Sequence, residues 1–210
     1  MQPTKDTYLQ LDRAYDHFNT ALFNDALPPC VLVLHRKKGA YGYFWGSTWS
    51  ERHGKQLTDE IALNPETFAQ RSLEEVLSTL VHEMCHLQQH HFGKPSRNGY
   101  HNKEWAQMME QVGLIPTDTG LLGGKKTGQK MTHIIAPEGR FITACTQLLT
   151  EGFTIPWHAR TRDASTARKK AASKTKYTCQ ACGTNAWAKP GTALICGTCL
   201  APMHTVNPDG

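Results

Sequence analysis

No run of about 18 apolar residues occurs anywhere in the 210-residue sequence, so no membrane-spanning helix and no membrane partner are expected. The N-terminus, "MQPTKDTYLQLDRAYDHF", is charged throughout and lacks the apolar stretch of a secretory signal, which points to the cytoplasm. Internal repeats are absent. A regular disulfide framework is missing too, since Cys30, Cys85 and Cys145 stand alone and read as buried thiols. Most of the chain also lacks excess charge. Residues 160–176, "RTRDASTARKKAASKTK", hold seven basic side chains against one Asp, and residues 177–210 balance Lys189 against Asp209. With a net charge of +5, the first 159 residues therefore sum to about −1. The basic character belongs to a linker.

What is present suffices for one cored domain with a small appendage: 39% of the residues are hydrophobic. Residues 5–23 place Tyr8, Leu11, Tyr15, Phe18 and Leu22 on one helical face, and Pro28 and Pro29 rule out its continuation. Three strand-like runs follow, "CVLVLH", "YGYFWGSTW" and "DEIALN", as a small antiparallel sheet requires. Residues 116–130 read as loop, and 131–158 as strand, helix and strand, the last being "FTIPW".

The most informative stretch is "LVHEMCHLQQHHFGKPSRNGYH", residues 80–101, with five of the eleven histidines. His82-Glu83-Met84-Cys85-His86 is an H-E-x-x-H pattern. Ser72-Leu73-Glu74-Glu75 is a capping box and Gly93 a stop, which together predict a helix between them. On that helix His86 lies about 40° from His82, while the apolar stripe centres about 180° away, so both imidazoles face a cleft. A catalytic zinc takes three protein ligands and keeps one position open, and the Glu of the motif serves as general base. The spacing Phe92 and Gln89 give, where a metzincin has His and Gly, excludes that class. Glu104 and Glu110 lie in no distinctive context as third ligands. His90 would put three ligands in a line along one helix. His101, after a Gly-containing turn, can approach from another direction and completes the expected set of His82, His86 and His101. His90 and His91 then read as ordinary polar surface.

Cys179, Cys182, Cys196 and Cys199 form C-x₂-C-x₁₃-C-x₂-C, four thiolates that close a structural tetrahedral zinc. The glycines after Cys182 and Cys196 suit knuckle turns. A module this small depends on its metal to fold. The basic linker before it, with Trp187 as a stacking surface, tilts residues 160–210 towards DNA or RNA; the alternatives are a solvated tether and a Trp187 packed on the module's own core.

"TLVHEMCHLQQHHFG" followed by "GYHNKEWAQMMEQVGL" resembles the SprT-like family of zinc metallopeptidases and is similar to the Spartan protease domain, which removes proteins crosslinked to DNA. "LFNDALPP" and the aromatic "YGYFWGSTW" strand fit the same resemblance. "GGKKTGQKMTHIIAPEGRF" looks like SprT-like proteins of bacteria and their mobile elements. The resemblance implies an α+β, zincin-like peptidase domain over residues 1–159, with the linker 160–176 and a zinc ribbon at 177–210. The two ligand sets predict two zinc ions per chain, one catalytic and one structural; the resemblance implies a protein substrate associated with DNA, and a monomer is expected. Glu83 is the expected base, and Tyr100 or a strand-edge amide the expected oxyanion donor. The rival reading is a nucleic-acid-binding protein that keeps a zincin fold as a scaffold without proteolysis.

Overall fold

A computed structural model describes residues 2–97, 99–160 and 174–205. Most of the linker expected at 160–176 lies outside the described residues. The chain divides into two compact units, Met1–Arg160 and Thr161–Gly210.

The first unit is mixed α and β. Helix α1 (Pro3–Phe23) begins two residues before the expected start, because Pro3 occupies the first turn, where an amide has no intrahelical partner. It buries Leu11, Ala14, Tyr15, Phe18 and Leu22 and ends at Asn24 in the left-handed conformation. Strands β1 (Val31–Leu34), β2 (Gly42–Ser50) and β3 (Leu57–Leu63) then form one sheet in the order β1-β3-β2. The expected all-antiparallel sheet is corrected: β3 enters between the first two strands, parallel to β1 and antiparallel to β2. Strand β2 is left on the edge. Its register shifts between Trp45 and Trp49, with Ser47 at φ 51°.

Helix α2 (Leu73–Phe92) is the axis of the core. Ser72 Oγ accepts from Glu75 N–H while the Glu75 carboxylate accepts from Ser72 N–H, closing both sides of the capping box. Val76, Leu77, Leu80, Val81, Met84, Cys85 and Leu87 are almost fully buried. Helix α3 (Lys103–Val112) starts at Asn102, whose side chain accepts from Trp105 N–H. Strand β4 (Leu114–Thr117) pairs antiparallel with β5 (Thr132–Ile135), so the first residues of the expected 116–130 loop are strand. Helix α4 (Arg140–Thr150) covers the core with Phe141, Ala144, Cys145 and Leu148. The strand expected from "FTIPW" does not form; Phe153 is used as a core plug instead. Among the described residues no helix is long and apolar enough to cross a membrane.

The second unit is a four-stranded antiparallel sheet. Strands β6 (Thr175–Cys179), β7 (Asn185–Ala188), β8 (Leu194–Ile195) and β9 (Pro202–Thr205) lie in the order β7-β6-β9-β8. Its small core is Tyr177, Cys179, Cys196 and Met203.

Gly113 joins α3 to β4 at φ +89°, and a Cβ there would lie 2.7 Å from the backbone nitrogen of Arg140. Both the backbone conformation and the close approach require glycine. Gly113→Ala is expected to destabilise the first unit by more than about 1 kcal/mol. A denaturant midpoint equal to that of the parent chain would contradict this.

Candidate metal centre

The apolar face of α2 fixes where its polar residues go. With the stripe turned to the core, His82, Glu83 and His86 line a cleft of about 1010 Å³. The opposite wall of the cleft is β2, from Gly42 to Gly46, and His101 and His133 also reach it. One ring nitrogen from each of His82, His86 and His101 lies within 4.8 Å of the other two, close enough to bind one ion. His101 precedes α3 and is held by a backbone bridge to Gly128 in both directions. It comes from off the α2 axis, as a third ligand must.

Each imidazole is also oriented from behind. His101 Nδ1 donates to the Gly128 carbonyl at 3.2 Å, which leaves Nε2 for the cleft. His82 Nδ1 lies 3.1 Å from His133 Nδ1, and His133 Nε2 lies 2.8 Å from Ser78 Oγ, which donates to the Glu75 carbonyl. One tautomer set satisfies the whole chain: His82 Nδ1–H donates to His133, and His133 Nε2–H donates to Ser78. That set leaves His82 Nε2 as a lone-pair donor. His86 is flanked by Trp105, stacked at 5.2 Å, and by Phe44 at 6.4 Å. Trp105 is buried and also contacts the rings of His82 and His101 edge-on, at 4.9 and 4.4 Å. It is the common backstop of all three imidazoles.

Burial sets the protonation of these groups. It drives the His82 pKa well below its usual value, His86 down to about 3, with His101 adding to the effect, and His133 down to about 4, with Arg71 adding. His101 is also lowered by burial, against the pull of its backbone contacts with Gly128 and Gly99. All four are therefore neutral near pH 7, and a neutral imidazole is the form that binds a metal. Burial pushes Glu83 up to about 8, with Lys37 drawing it back. Gly42 makes room for that carboxyl, since a Cβ there would lie 3.1 Å from Glu83 Oε1 and 2.8 Å from the Ala62 carbonyl oxygen. The donor set and its neutral state fit a zinc-type ion.

The other sequence candidates separate. Glu104 accepts from Gln89 Nε2 and Lys94 N–H, each at 2.7 Å, and so braces the α2–α3 turn. Glu110 pairs with Lys126. Tyr100 lines the cleft. His90 and His91, expected as plain surface, converge on buried Asp59 instead. His133 is the functional residue that the sequence does not single out. Its one signal is a histidine within a strand-like run.

In the second unit, one sulfur from each of Cys179, Cys182, Cys196 and Cys199 lies within 4.8 Å of the rest, a set that could hold a metal ion. Each knuckle closes with an amide donated back to its first cysteine carbonyl, Gly183 N to Cys179 O and Leu200 N to Cys196 O, both at 2.8 Å. Gly183 has φ +72°, as the expected glycine turn requires. In the second knuckle the left-handed residue is not Gly197 but Leu200, at φ 54°. The two left-handed positions each follow the second cysteine of a pair, so the knuckles share one geometry.

A pH dependence follows for the metal-free chain. The folded pKa values of His82, His86 and His133 lie below the unfolded value of about 6.5, so the unfolded chain binds more protons. Their stability is present above that pH and lost as pH falls towards 4. Glu83, raised to about 8, has the opposite sign: its contribution is present below about 4.5 and lost as pH rises through 8. Three imidazoles outweigh one carboxyl, so the chelated protein is expected to unfold at lower denaturant at pH 5 than at pH 7. An equal or higher midpoint at pH 5 would count against neutral buried imidazoles.

The sequence pattern of the SprT-like family matches residues 11–123, which include α2, the H-E-x-x-H motif and His101. A Salmonella typhimurium protein described as an uncharacterized protein in the mucB 3' region is 46% identical over 59 residues, 28% of this chain and 80% of that protein. No solved structure matches the chain. With the family pattern spanning more than half of its length, the chain belongs to the SprT-like family.

Proposed function

We propose that the chain is a zinc-dependent peptidase with a zincin-like first unit, acting on proteins bound or crosslinked to DNA. The observation that carries this reading is the meeting of His82, His86 and His101 in the cleft, with Glu83 buried beside them. His82, His86 and His101 would hold a zinc ion, which would supply Lewis acidity for a carbonyl and for the deprotonation of water. Glu83 is the base. Burial alone keeps its proton on near neutrality, but a divalent cation placed beside it favours the carboxylate. An Oε oxygen of Glu83 then takes a proton from the attacking water and passes it to the leaving amine. His133 holds His82 in the tautomer that leaves Nε2 free to bind a metal.

Strand β2 is an edge strand and lines the same cleft, so an extended peptide can pair with its backbone. Main-chain pairing reads little sequence, and selection by location takes its place. The basic run 160–176, read from the sequence, supplies phosphate contacts. In the second unit, held together by a structural zinc, Trp187 lies exposed on the edge strand β7 and offers a stacking surface. These features support DNA as the partner that brings substrate to the site.

The test is cleavage of a DNA-binding protein by the full chain, with and without DNA. Cleavage is expected to require zinc, to rise when DNA is present, and to vanish in Glu83→Gln, which keeps the fold and the metal. Undiminished cleavage by Glu83→Gln would remove it as the base. Cleavage indifferent to DNA would remove the DNA-directed part and leave the peptidase. His133→Ala is expected to weaken zinc binding at the three-histidine site by about 10–100-fold in a chelator competition. Unchanged affinity would mean that the His82–His133 contact does not set the ligand.

A further inference from the structure

We infer that Asp59, His90 and His91 form a second divalent-metal site in the first unit, for a borderline transition metal such as zinc, distinct from the three-histidine centre. Strand β3 alternates, so Asp59 shares the face of Ile61 and Leu63, both in the core. Its side chain is 4% exposed, and it meets the last turn of α2. Two consecutive imidazoles reach it there. His91 Nε2 lies 2.7 Å from Oδ2, and His90 Nε2 lies 3.7 Å from Oδ1. Ser47 N–H donates to Oδ1 at 2.7 Å and fixes the carboxylate.

The 2.7 Å hydrogen bond between His91 and Asp59, with the Ser47 amide, already satisfies the carboxylate. It gives no account of His90. His90 Nε2 is 3.7 Å from Oδ1 and 3.5 Å from Ser47 Oγ, beyond the usual N–H···O range of about 2.7–3.2 Å. A separation of about 3.3–3.5 Å is instead the edge of a tetrahedron around an ion bound at 2.0–2.2 Å. To meet that edge the 2.7 Å contact of His91 opens by about 0.6–0.8 Å and the 3.7 Å separation of His90 closes by about 0.2–0.4 Å. The strand is shaped to admit the His90 ring. A Cβ on Gly46 would lie 2.7 Å from it, and Ser47 takes a left-handed conformation where β2 loses register. The two imidazoles are about one-third exposed, which leaves a route in and a position for water.

Two imidazoles and one carboxylate suit zinc, cobalt, nickel or copper, and not magnesium or calcium, which take oxygen ligands. All three groups lie within 4.8 Å of one another. The site is one helical turn beyond His86, and Phe44 contacts both His86 and His90. An ion here ties the end of α2 to the bulged edge strand that walls the cleft. The inference does not rest on peptidase activity.

The experiment is zinc uptake by the full chain, measured by equilibrium dialysis and elemental analysis over rising free zinc. The parent chain is expected to bind one more equivalent than His90→Gln, and likewise one more than the His90→Gln/His91→Gln double variant. His90→Gln keeps the His91–Asp59 contact, so its thermal melt without zinc is expected to match that of the zinc-free parent and to separate lost binding from lost folding. In a His86→Ala background the same one-equivalent difference is expected to persist. Equal uptake by the parent and His90→Gln overturns the site. Disappearance of the difference in the His86→Ala background also overturns it, by assigning the extra ion to the three-histidine centre.

Discussion

Placing polar groups inside an apolar core costs several kcal/mol each unless every one finds a partner. Helix α2 takes on that cost, carrying the central apolar stripe and, between its members, buried His82 and Glu83. The rest of the first unit is arranged around meeting it. Strand β5 brings His133 to His82, Ser78 closes the hydrogen-bond chain one turn earlier on the same helix, and the Gly128 carbonyl accepts from His101 Nδ1. Trp105 fills the space behind all three rings. Burial disfavours the charged form of Glu83, with Gly42 giving it room and Lys37 only a partial offset. A divalent charge beside it would favour the carboxylate, which is the form the proposed base needs.

Much of this is legible in the sequence, because local chemistry governs it. The capping box at Ser72 and Glu75 marks the start of α2, and the 3.6-residue period turns His82 and His86 away from the stripe. The cysteine spacing is equally self-contained. What the sequence hides depends on chain closure between distant segments. His133 lies 51 residues from His82, and only the pairing of β5 with β4 brings it home. Asp59 reads as a polar residue in a strand, and its meeting with His90 and His91 depends on how β3 inserts between β1 and β2. That insertion also makes the sheet mixed. Leu200 in a left-handed turn has no sequence signal, because only the hydrogen bond to Cys196 fixes it.

The family supports a metallopeptidase reading, and the cleft gives that reading its parts: ligands, base, and an edge strand for a substrate backbone. Selection by DNA, as proposed, would be a separate layer, resting on the basic run of the sequence and the four-cysteine unit. The two layers can fail independently. A peptidase without DNA direction keeps its chemistry, and a DNA-bound chain without zinc in the cleft keeps only its address.

The account stands on one ion in one place. A crystal of the full chain grown with zinc, with anomalous diffraction recorded at the zinc edge, tests this directly. The account predicts an anomalous peak about 2.0–2.1 Å from a ring nitrogen of each of His82, His86 and His101. A zinc-saturated crystal with no peak there, while the four cysteines hold theirs, would contradict it.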